Sequence, residues 1–280
     1  MRSLTKADVN PLNFAFVSSA IVAASDLAAG IKRWPLATKL GWQDVRQRYR
    51  RSALGAFWLT ISMGIMIGTI GVVFGQLFET SLDNYLPFLT AGIILWGFMS
   101  TVVSEGCLGF ISAEAVIKQL PIPLFVHILR LVWRNLIILC HNIVIFPIVS
   151  ILFGKSLTIS ALGAIPGVSL LIANLCWIAL VLAIISARYR DLPQVVASVM
   201  QVFFYLTPIM WMPNALPTES SRYMLALNPA YHLVEIVRAP LLGQMPTTLN
   251  WGVSIALLVV GWTCTAILFG RYKARVAYWL

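Results

Sequence analysis

The chain has 280 residues, of which 59% are hydrophobic and only 11% charged, whereas soluble domains run at roughly 45–50% apolar and about 25% charged. So little charge excludes a water-soluble globular protein and points to an all-α integral membrane protein. The formal net charge of +10 does not indicate nucleic-acid binding, because the basic residues sit beside long apolar runs and not on a separate polar domain.

The start of the chain shows no basic segment leading directly into an apolar core and a small-residue cleavage site, so no cleaved leader is expected. Residues 1–52 are expected to form a cytoplasmic N-terminal segment, and residues 53–280 the membrane domain. Leu12 to Ile31 is apolar, but it is rich in Ala and Ser, carries Asp26 and ends on Lys32-Arg33. It is expected to lie on the membrane or pack on the bundle. From Trp34 to Ser52, Trp42, Val45 and Tyr49 recur at helical spacing while Lys39, Arg46 and Arg50 fall on another face. That pattern predicts an amphipathic interfacial helix. Its cations are either a simple anchor or a docking surface for a cytoplasmic partner.

A helix needs about 20 mainly apolar residues to cross a hydrocarbon core of roughly 30 Å. Six runs satisfy this or come close, at about 56–78, 86–110, 128–153, 162–186, 195–212 and 250–270. Glu105, Arg130 and Arg134 lie near span ends, where such groups are expected to snorkel to the headgroups. Cytoplasmic connections are enriched in Lys and Arg. With both termini inside, all of the 20 basic residues except Lys155, Arg222 and Arg238 fall on the cytoplasmic side. In the long outer connection, residues 223–227 and 231–242 are apolar but too short to span, and Asn228-Pro229 and Pro240 interrupt them. Two short re-entrant helices are expected there, with Pro229 in the first turn of the second.

Chemistry-bearing motifs are sparse. Gly154-Lys155-Ser156 resembles the end of a phosphate-binding loop, but position 149 is Val where the pattern needs Gly, so no ATP site is expected in this chain. His127, His141 and His232 lack ligand companions at metal spacing, so no metal site is expected. No acidic pair lies within a span to couple protons or sodium, which removes the usual signature of a secondary carrier. Cys107, Cys140, Cys176 and Cys264 all fall in apolar runs and are expected to be small core residues. Trp96, Phe98, Phe203, Phe204, Tyr205 and Trp211 either belong to interfacial belts or turn inward as a hydrated path for a glycan. Asn228, Tyr231, His232, Glu235 and Arg238 form an outer polar cluster in which Tyr231, Glu235 and Arg238 share helical spacing. They either hold the hairpin together or line an exit gate.

Four local motifs then resemble the membrane permeases of ABC exporters for bacterial cell-surface polysaccharides, the O-antigen and capsule type of the ABC-2 family. The first is Leu40-Gly41-Trp42-Gln43-Asp44 running into Arg48-Tyr49-Arg50-Arg51-Ser52, with Leu54-Gly55 and Phe57-Trp58-Leu59 behind it. The second is Ile117-Lys118-Gln119-Leu120-Pro121-Ile122-Pro123-Leu124, and the third Ala187-Arg188-Tyr189-Arg190-Asp191-Leu192. The fourth is Asn228-Pro229-Ala230-Tyr231-His232-Leu233 with Val237-Arg238-Ala239-Pro240-Leu241-Leu242-Gly243. One departure is Ala56, where the family often has Pro.

The resemblance implies a six-helix permease of the bacterial inner membrane, working as a homodimer with two copies of a cytoplasmic ATP-binding cassette subunit that holds ATP and Mg. The cargo it implies is a lipid-linked polysaccharide. It further implies that Arg46, Arg48, Tyr49, Arg50 and Arg51, with Glu114, Lys118 and Gln119 and with Arg188, Tyr189, Arg190 and Asp191, touch the ATPase, and that the short outer helices act as a gate. Other readings are the same architecture moving teichoic acid or a small hydrophobic substrate, or a membrane-embedded glycan polymerase or ligase. The latter would have to use Glu219, Arg222, His232, Glu235 and Arg238.

Overall fold

In the computed structural model, which describes residues 11–50, 57–77, 81–155, 158–213 and 223–280, with side chains from residue 20 onward, the apolar runs form helices and no strand occurs among the described residues. The helices are α1 (Pro11–Lys32), α2 (Trp34–Tyr49), α3 (Phe57–Leu77), α4 (Leu82–Cys107), α5 (Glu114–Gln119), α6 (Leu124–Asn142), α7 (Ile145–Leu152), α8 (Ala164–Arg188), α9 (Leu192–Leu206), α10 (Pro229–Leu241) and α11 (Thr248–Trp279). Five stretches among the described residues are long and apolar enough to cross a bilayer: α3, α4, Leu124–Leu152, Ile159–Arg188 and α11.

The remaining expected span, 195–212, is shorter than its hydropathy suggests. Helix α9 has 15 residues, about 22 Å at the α-helical rise. It stops because Thr207 is extended, with φ −90° and ψ 134°, as the ring of the following Pro208 disfavours helical backbone before it.

Helix α4 is the centre of the bundle, and 83% of its apolar window is buried. It packs against α3, α6, α7, α8, α9 and α10, while α8 packs on α11. Small residues permit these close approaches in an apolar solvent that supplies little hydrophobic drive. A Cβ on Gly106 would lie 2.9 Å from Ala179 Cα, and one on Gly261 would collide with the indole of Trp177. At the periphery, α3 buries only Ile67, Gly71 and Gly75, and α9 buries none of its residues. Cys107 and Cys176 are buried, but Cys140 and Cys264 are exposed on the outside of the bundle. The core expectation thus fails for two of the four, because an apolar run in a membrane helix has a lipid-facing side as well as a buried one.

Of the two expectations for α1, packing on the bundle is observed. Ala23, Asp26 and Gly30 are buried at helical spacing, and α1 contacts α6 and α11. Helix α2 docks on α6 through Ala37, Gly41 and Val45. This divides the expected apolar face, since Val45 turns inward while Trp42 stays 57% exposed. The small residues win the contact because a Cβ on Gly41 would already lie 2.9 Å from Arg130 O.

Candidate functional site

Helix α6 carries Arg130 and Arg134 one turn apart, and both point to α2. Arg130 donates to Asp44 from Nε at 2.7 Å and from Nη2 at 2.5 Å, and Arg134 Nη1 donates to the same carboxylate at 3.1 Å. Arg134 Nη2 also donates to Glu105 Oε2 of α4 at 2.6 Å, as does Asn135 Nδ2 at 2.6 Å. Arg48 of α2 closes the chain on Glu105 Oε1 at 3.1 Å. Burial pushes the Asp44 carboxyl up, but the hydrogen bonds and positive charge of Arg130 and Arg134 outweigh it and hold Asp44 below the usual carboxylate range.

The expectation that Glu105, Arg130 and Arg134 snorkel is therefore corrected. Charges that find partners inside the protein avoid the cost of facing hydrocarbon alone. Among the predicted coupling residues, Arg48 belongs to this network, Arg46 and Arg50 are exposed, and Tyr49 is half-buried with no hydrogen-bond partner for its hydroxyl among the described residues. Arg51 lies outside the described residues. Asp44, Glu105, Arg130, Arg134 and Asn135 were not singled out as site residues, although two arginines a turn apart inside an apolar run were a usable signal.

Two connections at the same end of the bundle adjoin. Lys118 bonds Glu114 at 2.7 Å across one turn of α5, and Gln119 is exposed at its end. That bond, with the charge of Lys118 and of Arg190, holds the Glu114 carboxyl below its usual range. Arg190 Nη2 donates to Leu280 O at 3.3 Å, while the Arg188 guanidinium lies 5.4 Å from the Trp279 ring centroid and 5.3 Å from that of Tyr189. Asp191 is exposed at the entrance to α9. Nearby, buried Asp26 accepts the backbone N–H groups of Leu124 at 3.4 Å and Phe125 at 3.1 Å, and pairs with Lys273 at 2.8 Å. It caps α6 at the point where the first connection ends, a role the sequence reading did not assign.

At the opposite end, α10 sits inside the bundle against α4, α8 and α11. Asn228 starts it, accepting the N–H groups of Ala230 at 3.0 Å and Tyr231 at 3.3 Å and donating to Thr207 Oγ1 at 3.0 Å. Pro229 fills the first turn, where its missing N–H costs nothing. His232 is buried between Asn250 Oδ1 at 2.8 Å and Ala226 O at 3.0 Å. Arg238 is fully buried. It donates to Pro208 O at 2.6 Å and twice to Glu235 Oε2, at 3.0 and 2.6 Å, and its guanidinium lies 4.1 Å from the Phe88 ring centroid.

Three of the five outer residues therefore build the fold, and Tyr231 and Glu235 line a cavity of about 880 Å³. His232 and Arg238 are committed to these bonds. Glu219 and Arg222 lie outside the described residues.

The aromatic set also divides. Trp96 and Phe98 are buried, and Trp96 meets Phe204 with ring centroids 5.8 Å apart, joining α4 to α9. Phe203 is half-buried, as is Trp211, which donates from Nε1 to Tyr205 O at 3.1 Å. Tyr205 alone of the six faces outward, at 63% exposure. It extends a row that the sequence reading missed: Gln194, Ser198, Gln201 and Tyr205, all exposed along α9. Spacings of four, three and four residues put them on one helical face.

The chain matches the ABC-2 type transporter family over residues 37–242, from within α2 to the end of α10. It is 24% identical over 201 residues to the O-antigen export system permease protein RfbA of Myxococcus xanthus, covering 70% of this chain and 76% of that protein. A Klebsiella pneumoniae protein of the same name is 22% identical over 240 residues, 84% of this chain and 91% of that one. The polysialic acid transport protein KpsM of Escherichia coli is 23% identical over 239 residues, 83% and 90% respectively. An apolar helical bundle matched across most of its length in this way is the multi-pass membrane component of a transporter, and the chain belongs to the ABC-2 type transporter family.

Proposed function

We propose that this chain is the permease half of an ATP-driven exporter that moves a lipid-linked polysaccharide of the O-antigen or capsule type across the bacterial inner membrane. The names of its relatives support the cargo class. The observation that carries the reading is the polar row Gln194, Ser198, Gln201 and Tyr205 on a helix that buries nothing. Polar side chains facing hydrocarbon cost several kcal/mol or so when no partner satisfies them. A second copy with its α9 opposite would line a hydrated passage and satisfy both rows.

In this arrangement α9 and residues 207–213 complete a sixth crossing, and both termini are cytoplasmic, in keeping with the Lys and Arg asymmetry. Two copies of a cytoplasmic ATP-binding subunit, holding ATP and Mg, press on α2, on α5 and on residues 188–191. The ion-paired chain from Asp44 and Arg48 through Arg130 and Arg134 to Glu105 carries that movement from α2 into α4. Helix α10, pinned through Arg238 to the turn at Pro208, gates the outer end. The chain contributes no catalytic group and no cofactor of its own.

The test is reconstitution with the partner ATPase and a lipid-linked glycan. Deleting residues 114–119 and replacing Arg188 to Asp191 by alanine should abolish glycan-stimulated hydrolysis and export together. Export that survives both changes contradicts the coupling.

A further inference from the structure

We propose that the wedge between α3, α4 and α6, at the end of the bundle where α2 lies, holds one anionic phospholipid of the adjoining leaflet. Its phosphate sits on Arg48, its ester carbonyls on Thr101 and Asn142, and an acyl chain runs between the helices. This site goes beyond the export reading and does not depend on the cargo. The cavity measures about 390 Å³, toward the lower end of the usual range of small-molecule sites. Met63 and Met66 of α3, Ile94 and Phe98 of α4 and Leu139 of α6 form its apolar walls, and Arg48 of α2 closes one end. Unbranched methionines adapt well to a flexible chain. No carboxylate belongs to the lining.

The order of polar groups along the wedge follows the order of groups in a phospholipid. The 2.6 Å bond between Asn135 and Glu105 fixes the relative height of α6 and α4, and Arg48 bonds the same Glu105. From that level Thr101 lies one turn further into the bundle along α4, about 6 Å, and Asn142 two turns along α6, about 10 Å. Both carry donors that are not in use. The hydroxyls of Thr69, Thr90, Thr263 and Thr265 return to the carbonyl four residues before them at 2.6–2.9 Å, the local bond that satisfies such a group within a helix. Thr101 Oγ1 makes no such bond and has no other partner among the described residues. Asn142 accepts from Thr60 Oγ1 at Oδ1, which leaves its Nδ2 without a partner among them. Unmatched donors in apolar surroundings are costly, and ester carbonyls supply acceptors at this depth without adding a donor.

Charge sets the headgroup. Arg48, Arg130 and Arg134 share Asp44 and Glu105, three positive charges on two negative ones, so the network keeps one positive charge in excess. Arg48 is where a ligand can reach it. Its side chain is 47% exposed, against 29% and 18% for Arg130 and Arg134. It spends only Nη2 on Glu105, so Nε and Nη1 have no partner among the described residues. Arg46 and Arg50, exposed on the same helix, add to the field. A phosphate would gain charge-assisted hydrogen bonds there. A zwitterionic headgroup brings its own cation to the same place and gains less. A polyprenyl phosphate supplies the charge but has no ester for Thr101 and Asn142.

The experiment titrates the full chain in detergent micelles with dioleoylphosphatidylglycerol, dioleoylphosphatidylcholine and undecaprenyl phosphate, and counts bound lipid by native mass spectrometry. Phosphatidylglycerol should bind about five-fold or more tightly than phosphatidylcholine. Arg48→Gln should remove most of that preference and Arg48→Lys should keep it. Thr101→Val conserves shape, so it keeps the test valid if Arg48→Gln loosens α2, and it should weaken phosphatidylglycerol by about three-fold or more. Gly97→Leu should weaken it further, because a Cβ there meets only Met63 Cε, at 3.5 Å, and the longer side chain would fill the wedge. Equal affinity for the two phospholipids, undecaprenyl phosphate bound as tightly as phosphatidylglycerol, or an unchanged phosphatidylglycerol affinity in Thr101→Val or Gly97→Leu overturns the proposal.

Discussion

Arg134 reaches Asp44 of α2 and Glu105 of α4 at the same time, so its loss would leave two partly buried carboxylates short of a partner. Exposed ion pairs contribute about 0–1 kcal/mol, and breaking a buried one costs about 3–5 kcal/mol. With side chains 18–20% exposed, Arg134→Ala should cost about 2–3 kcal/mol, between those limits. Thermal unfolding in detergent would show the loss as a lower Tm. The same melts carry a pH signature. A carboxylate held below its ordinary value stabilises the fold above that value, 3.8 for Asp44, and the contribution disappears as pH falls through the lowered one. Asp44→Asn should therefore reduce the stability difference between neutral pH and about pH 3. At this scale the sequence was half legible. Arg130 and Arg134 stand out as charges in an apolar run, but Asp44 lies 86 and 90 positions away from them, and nothing local couples residues that distant.

Helix α2 is held to α6 by a row of small residues, and Gly41 marks the closest approach. A Cβ there would sit 2.9 Å from Arg130 O and 3.0 Å from Trp133 Cδ1. Overfilling a packed contact costs about 1–3 kcal/mol. Gly41→Val should lift α2 away from the bundle, speed tryptic cleavage at Arg46 and Arg48, and leave the membrane helices intact by circular dichroism. Unchanged cleavage would show that α2 is held in some other way. Among the elements, the long spans were legible because hydropathy over about 20 residues is a local property. The inward side of α2 was not, since helical periodicity shows that a face exists without showing whether aromatic or small residues fill it. The end of α9 was legible only in its chemistry: Thr207-Pro208 is a stop signal inside a window whose average hydropathy masks it.

At the scale of the whole molecule, the proposed function rests on what is left unburied. Helices α3 and α9 lie at the edge of the bundle; Gly64 and Gly68 on α3 have open space beside them, and the polar row of α9 faces outward. In the proposed exporter those surfaces would meet a second copy across a shared passage, and α2, α5 and residues 188–191 would take the push of the ATPase. The asymmetry of basic residues gives an expectation of orientation from the sequence alone, because it depends on counts along the chain. The most direct measurement is protection of a lipid-linked glycan from an external glycosidase in proteoliposomes containing this chain and its ATPase. The account predicts protection that requires ATP and both subunits when the ATPase faces outward. Protection without ATP, or none with both subunits and ATP present, would contradict it.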